Sequence, residues 1–376
     1  MNRQFPVQTH LPIDPDPKGR CYLPPIFFGL FLHSNWYKSR KKYIPLLLVI
    51  LLFWSCKNQT PGNTADNSNT IFQSDQNLKN ITEQINKSPK DATLYFQRGM
   101  LLHKMQIDTL AIKDYKTAAS LDTSKAEYFS AVGDLLFENK DITGSVEWLQ
   151  KAIAKNPTDR KAHLKIAKLF LYIKKYPEAF AEINIVLRHN VYDPEAYFLK
   201  GMIYKDMRDT AKAISTFLTA EQVAPEYRDA VLQLGVLYSA KKDSIALRYF
   251  EKAYKMDSTD VFPLFAKGVF YQDNKNYEPA KEEYKQCILR NRHYADAYFN
   301  LGYIYMQQDS VEKAYRQYDI VTKVDPGNPT AYYNRGLCSE MMDSIKKALE
   351  DFKLAAALDS GYKSPKEALK RLRIKK

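Results

Sequence analysis

Residues 197–225 read YFLKGMIYKDMRDTAKAISTFLTAEQVAP, and the spacing within this stretch decides the fold. Gly201 has Tyr197 four residues before it and Tyr204 three after; Ala213, Phe217 and Ala220 follow at 12, 16 and 19, and Pro225 closes the stretch. Offsets −4, 0 and +3 share one face of a helix, and +12, +16 and +19 share one face of a second, because an α-helix turns once in about 3.6 residues. Small residues at 0 and +12 let the two axes approach, while the bulky ones fill the space beside them. The polar Asp209-Thr210 between them can cap the N–H groups that open the second helix. Pro225 cannot continue that helix.

The same arrangement recurs along the chain. Glycines stand at Gly99, Gly133, Gly201, Gly235, Gly268, Gly302 and Gly336, with steps of 33 or 34 and one double step in which Ala167 takes the empty place. Large apolar residues recur 16 positions on, at Tyr115, Leu149, Ile183, Phe217, Tyr284, Tyr318 and Phe352, with Phe250 one residue early in a shortened unit. Four more turns repeat the Asp-Ser/Thr pair and are expected to cap in the same way: Asp108-Thr109, Asp243-Ser244, Asp309-Ser310 and Asp343-Ser344. The third unit departs most, with His163 where other units carry an aromatic residue and Val191 where a proline closes others. A period of this length means stacked small units that bury their apolar residues against one another, so function belongs on a surface.

These residues and offsets resemble the tetratricopeptide repeat family over 92–361, as eight units. The resemblance implies an all-α, right-handed superhelical solenoid of antiparallel helix pairs. A half-repeat at 77–91 (Ile81, Ile85, Pro89) is expected before it, and a basic capping helix at 362–376 after it. In that cap Ser364 reads as the N-cap, Pro365 as the first helical residue and Glu367 as its capping-box partner, with Ala368, Leu369 and Leu372 packing on the last unit.

The formal charge of +13 is concentrated at the two ends: +5 over 1–56 and +6 over 363–376 leave about +2 for 57–362. No basic stripe follows the array, which argues against nucleic acid. No phosphate-cradling glycine loop, nucleophile elbow or His-Glu-x-x-His occurs. Cys287 and Cys338 fall on helix faces as small apolar residues. The expectation is therefore a non-enzymatic protein with no cofactor, no metal and no small-molecule substrate.

The N-terminal stretch reads as a targeting signal. Basic Lys38 to Lys42 precede a 12-residue apolar run, Tyr43 to Trp54, and then Ser55-Cys56. Twelve residues fall short of the roughly 20 a spanning helix needs. The pattern resembles a bacterial lipoprotein signal, which implies cleavage before Cys56 and lipid attachment to its thiol, at a cell envelope and most simply the outer membrane facing the periplasm. Residues 1–56 are then the targeting segment, with Met1 to Trp36 an over-extended start, and the Asn/Thr-rich 57–76 a flexible polar tether. The rival is an uncleaved transmembrane anchor on a regulatory or accessory subunit of an envelope enzyme complex.

On the first helices, offsets −3 and +1 carry an apolar row: Phe198, Met202, Phe265, Val269, Phe299, Tyr303, Tyr333 and Leu337. In the resembled family this face lines a concave groove that grips an extended peptide or a helix. Two readings stand side by side, a groove for a partner protein or burial against the adjacent unit. With the lipid signal, the first gives a lipid-anchored envelope scaffold that docks other proteins.

Overall fold

The computed structural model describes residues 71–73 and 75–374. Cys56, the basic and apolar runs before it and the tether up to residue 70 lie outside the described residues. Among the described residues there are eighteen helices of at least 12 residues and no strand. This is the all-α stack of helix pairs that the spacing predicts.

The chain divides after Tyr227 into two compact units. The first begins with a lone helix, α1 (Gln76–Lys87), followed by the pairs α2 (Ala92–Lys104) and α3 (Asp108–Leu121), and α4 (Ala126–Glu138) and α5 (Ile142–Lys155). The pairs α6 (Arg160–Tyr172) and α7 (Tyr176–His189), and α8 (Pro194–Asp206) and α9 (Thr210–Val223), complete it. In the second unit, α10 (Arg228–Ala240) pairs with α11 (Ile245–Met256), and α12 (Phe262–Asp273) with α13 (Tyr277–Arg290). Then α14 (Ala295–Gln307) pairs with α15 (Val311–Val324), α16 (Pro329–Met341) with α17 (Ile345–Leu358), and α18 (Lys363–Ile374) closes the chain.

Close approach explains the glycine spacing. A Cβ at Gly201 would lie 2.6 Å from the Phe217 ring, one at Gly235 2.7 Å from Phe250, and one at Gly268 2.5 Å from Tyr284. The same holds for Gly99 on Tyr115, Gly133 on Leu149, Gly302 on Tyr318 and Gly336 on Phe352, all below 3.0 Å. Each first helix thus receives the large side chain of its own second helix where it has no side chain. Ala167 replaces glycine in the unit whose matching residue is Ile183. Ala213 and Phe217 are both fully buried.

A second periodicity lies in the turns. Gln106, Lys140, Lys174, Arg208, Lys242, Lys275, Asp309 and Asp343, each seven residues past a lattice position, all adopt left-handed backbone with φ between 52° and 65°. The next residue's N–H reaches back to a carbonyl five residues earlier, as from Asp209 to Tyr204 (2.9 Å) and Asp243 to Tyr238 (3.0 Å), which closes the first helix. This geometry corrects the expected caps. Asp209 accepts from the Lys212 N–H and Asp243 from the Ile245 N–H. Asp309 and Asp343 fall one position earlier and are themselves the left-handed residues, while Asp108 is already helical and binds His103. A left-handed residue with a Cβ costs about 1–2 kcal/mol. Lys242→Gly is therefore expected to raise local stability by about 1 kcal/mol, seen as slower amide exchange in α10 and α11.

Three charged clamps bind successive helices. Arg98 meets Asp114 at 2.7 Å and Thr82 at 3.3 Å; Lys267 meets Glu283 at 2.7 Å and Glu251 at 3.1 Å; Arg335 meets Asp351 at 2.6 Å and Asp319 at 2.7 Å. In each, a cation just before the lattice glycine bridges groups 16 residues before and 16 after it. The spacing spans one helix pair and the helix preceding it, so each clamp ties two repeats together.

Two boundaries differ from the sequence reading. Residues 71–73 are helical, and Ile71 and Phe72 pack on the cluster around Leu78 and Leu102, with the Arg98 guanidinium 4.3 Å from the Phe72 ring. The end of the expected tether is thus part of the packed array, because Ile71 and Phe72 supply apolar surface that the tether lacks elsewhere. In the cap, α18 begins at Lys363, so Ser364 lies inside the first turn rather than capping it. Ala368 and Leu372 are buried against Tyr333, Leu337 and Phe352, and Leu369 is partly buried there.

Candidate partner-binding surface

The apolar row on the first helices is core. Phe198, Met202, Phe265, Val269, Phe299, Tyr333 and Leu337 are all buried, and Tyr303 alone of the eight is half-buried. Ring geometry gives the reason. Phe198 lies 5.8 Å from Phe217 on its partner helix and 5.6 Å from Tyr227 in the turn that follows. Phe265 is held in the same way between Tyr284 (5.7 Å) and Tyr294 (5.3 Å), and Tyr333 between Phe352 (5.6 Å) and Tyr362 (5.4 Å). Tilted ring pairs at these distances are favourable beyond the area they bury. The expected open groove built on these eight residues is corrected accordingly: seven of them hold helix pairs and turns together.

What the first helices leave to solvent is a mixed surface. Met100 is 46 % exposed, Tyr303 is half-buried, and Asp296, in the first turn of α14, keeps partial exposure. Tyr303 packs on a buried hydrophobic cluster that includes Phe265, Tyr284 and Leu301; the Tyr284 hydroxyl in it accepts from Asn300 Nδ2 at 3.1 Å and donates to Gln272 Oε1 at 3.0 Å. Such a relay fixes side-chain orientation while keeping buried polar atoms paired.

Burial raises the Asp296 carboxyl from its usual value to about 6, and the nearby Asp325 charge adds to the effect. A helix N-terminus favours a carboxylate, so here burial outweighs the helix dipole. The folded state holds this proton more tightly than the unfolded chain does. Stability therefore falls as pH rises from about 4 through 6 and stays lower above that. Asp296→Asn should remove the loss and stabilise the second unit at pH 7.5 by on the order of 2 kcal/mol, with little effect at pH 4. Urea titrations of both proteins at the two pH values measure this directly.

Burial also pushes the Cys287 and Cys338 thiols up to about 12, and both are free, so they are inert packing groups at neutral pH. Lys205, on α8, is moved the other way by burial, down to about 8. Among the described residues no group of His, Cys, Asp and Glu is arranged to hold a metal ion, and no helix is long and apolar enough to cross a membrane.

Three segments, 194–227, 263–294 and 295–328, match the family model described as tetratricopeptide repeat, and each lies over one helix pair: α8/α9, α12/α13 and α14/α15. Among curated proteins, human Protein O-mannosyl-transferase TMTC3 is 23% identical over 256 residues, covering 66% of this chain and 28% of that protein. Mouse DnaJ homolog subfamily C member 7 is 24% identical over 250 residues, covering 61% and 49%. The chain thus spans less than half the length of either relative. Among solved structures, a tetratricopeptide repeat protein from Parabacteroides merdae aligns with TM-score 0.49 at 18% identity, over 67% of this chain and 100% of that one. YrrB, described as a TPR protein with an unusual peptide-binding site, aligns with TM-score 0.40 at 20% identity, over 50% and 97%. By the family model, residues 194–227, 263–294 and 295–328 carry tetratricopeptide repeats.

Proposed function

We propose that the protein is a docking scaffold for other proteins, held at a bacterial cell envelope by lipid on Cys56. The observation that carries the scaffold reading is the repeated helix pair itself. Each pair spends its large apolar side chains on its partner helix and the next turn, and so presents the outer positions of its first helix to a ligand. In the second compact unit Tyr303 and Asp296 are such positions, and in the first Met100. Within either unit, an extended peptide or a helix suits such positions, since residues on successive first helices recur at a fixed interval.

A photo-crosslinking amino acid at Met100 or Tyr303 should capture partner proteins in cells, whereas one at Leu289 or Leu354, exposed on second helices, should not. Capture confined to the second helices would overturn the assignment of the face. For the anchor, the basic segment, short apolar run and Ser55-Cys56 support lipidation. Cys56→Ser should abolish fatty-acid labelling and stall processing, because the lipid is carried by the Cys56 thiol. A mature protein that keeps residues 37–55 would favour the uncleaved anchor and the accessory-subunit reading instead.

A further inference from the structure

One face of α18 carries charge where the first helices of the pairs carry packing residues. Lys370 stands 34 residues past Gly336, at the place a lattice glycine would take, with Lys366 and Lys363 four and seven residues before it. That spacing puts the three on one side of the helix, and all three are exposed. In the preceding pair the same side of α16 receives a ring, since a Cβ at Gly336 would lie 2.7 Å from Phe352. A lysine in the glycine's place leaves no such seat, so α18 does not take up a helix as α16 takes up α17.

The opposite face fixes the orientation. Pro365, Ala368 and Leu372 are buried, the last two in the cluster that holds Tyr333, Leu337 and Phe352. Arg371 also ties α18 to Glu340 on α16, at 2.5 Å. The lysine face therefore stays turned to solvent.

Its charge is not compensated within the fold. Among the described residues no carboxylate pairs with Lys363, Lys366 or Lys370, and Lys366 donates to the Ser360 carbonyl at 2.6 Å. The described residues exposed on α18 are these three lysines and Glu367. On α17, Lys346, Lys347 and Lys353 are exposed as well, with one exposed acid, Glu350. The net charge of +6 over 363–376 thus stands beside a helix whose exposed face adds to it.

We propose that the lysine face of α18 is a contact surface for a membrane leaflet containing anionic lipid. A docked protein draws its affinity from apolar anchors seated in pockets, and the exposed positions of α18 offer none. A headgroup layer asks for no such fit. Several cations on one helix suffice, each attracted separately to lipid phosphate, and flexible lysine stems let each ammonium find its own partner. The presence of a membrane rests on the envelope reading proposed above. There the lipid on Cys56 supplies one attachment, and α18 adds a second that depends on charge and salt.

The test uses the chain that cleavage before Cys56 leaves, residues 56–376, carrying Cys56→Ser so that no acyl chain contributes. It is floated with vesicles of phosphatidylcholine alone, or of phosphatidylcholine and phosphatidylglycerol in equal parts. Partition should favour the anionic vesicles and weaken as salt is added. Lys363→Gln, Lys366→Gln and Lys370→Gln together should lower it by about a hundredfold, about fivefold for each lysine at the surface. The corresponding triple arginine variant should bind as the native chain does, and both variants should melt with it because the three side chains are exposed. Equal partition into neutral and anionic vesicles, or anionic binding that the glutamine variant retains, overturns the proposal. Displacement of the vesicles by duplex DNA or polyglutamate at equal charge overturns the choice of lipid. None of these outcomes depends on whether Cys56 is acylated, which fatty-acid labelling decides separately.

Discussion

Phe217→Ala should destabilise the α8/α9 pair by about 3–5 kcal/mol, the range for emptying an aromatic site in a core. The ring is fully buried, and it occupies the space that Gly201 leaves by having no Cβ. That geometry keeps the cavity open, since the facing residue has no side chain with which to fill it. Phe198, 5.8 Å from the lost ring, also loses half of its sandwich and retains only Tyr227. In a stacked array the loss spreads to neighbours, so amides of the α6/α7 pair should also exchange faster. Native-state hydrogen exchange reads both effects residue by residue, and exchange in α8 and α9 that stays at the wild-type rate would contradict the assigned packing.

Arg335→Leu should cost a comparable amount, about 3–5 kcal/mol, because it strands a buried charge. Asp351 is 4 % exposed, and each of its carboxylate oxygens accepts from Arg335, at 2.6 Å and 3.0 Å. The same guanidinium holds Asp319 at 2.7 Å and Thr322 at 2.8 Å on the preceding repeat, so its loss also unties α15 from α16. Arg335→Lys keeps the charge but not the fork that reaches three partners, and should recover only part. Arg335→Leu combined with Asp351→Leu should recover most of the loss, since no carboxylate is then left unpaired in the interior. Amide exchange in α16 and α17 of the three variants measures the order. A double variant as unstable as Arg335→Leu alone would show that the fold needs the charge itself.

The helix pairs were legible because their signal is periodic and made of residue types with few other uses. Gly201 and Phe217 sit 16 apart, and the same contact recurs at Gly268 and Tyr284 and at Gly336 and Phe352. The fate of the first-helix row was not legible from helical periodicity. The rings that cover Phe198, Phe265 and Tyr333 are Tyr227, Tyr294 and Tyr362, which lie in turns outside either helix face. A tyrosine 26 residues past the glycine was the available clue, and it occurs in only these three pairs. The left-handed turn residues were hidden for a different reason. Lys140, Arg208 and Lys242 carry no glycine or asparagine signature, and the hydrogen bond that fixes them belongs to the backbone. The clamps were partly visible as a cation before the glycine and an acid 15 after it, at Arg98/Asp114, Lys267/Glu283 and Arg335/Asp351.

The central claim is that each lattice glycine exists to receive the large side chain 15 or 16 residues on, and a double-mutant cycle on Gly201→Ala and Phe217→Ala tests it most directly. Alone, Gly201→Ala places a Cβ 2.6 Å from the Phe217 ring and should cost about 1–3 kcal/mol by overpacking. In the Phe217→Ala background the same Cβ enters the vacated space, so that cost should vanish and the coupling should be about as large as the single effect. Free energies that simply add, within about 0.5 kcal/mol, would contradict the account.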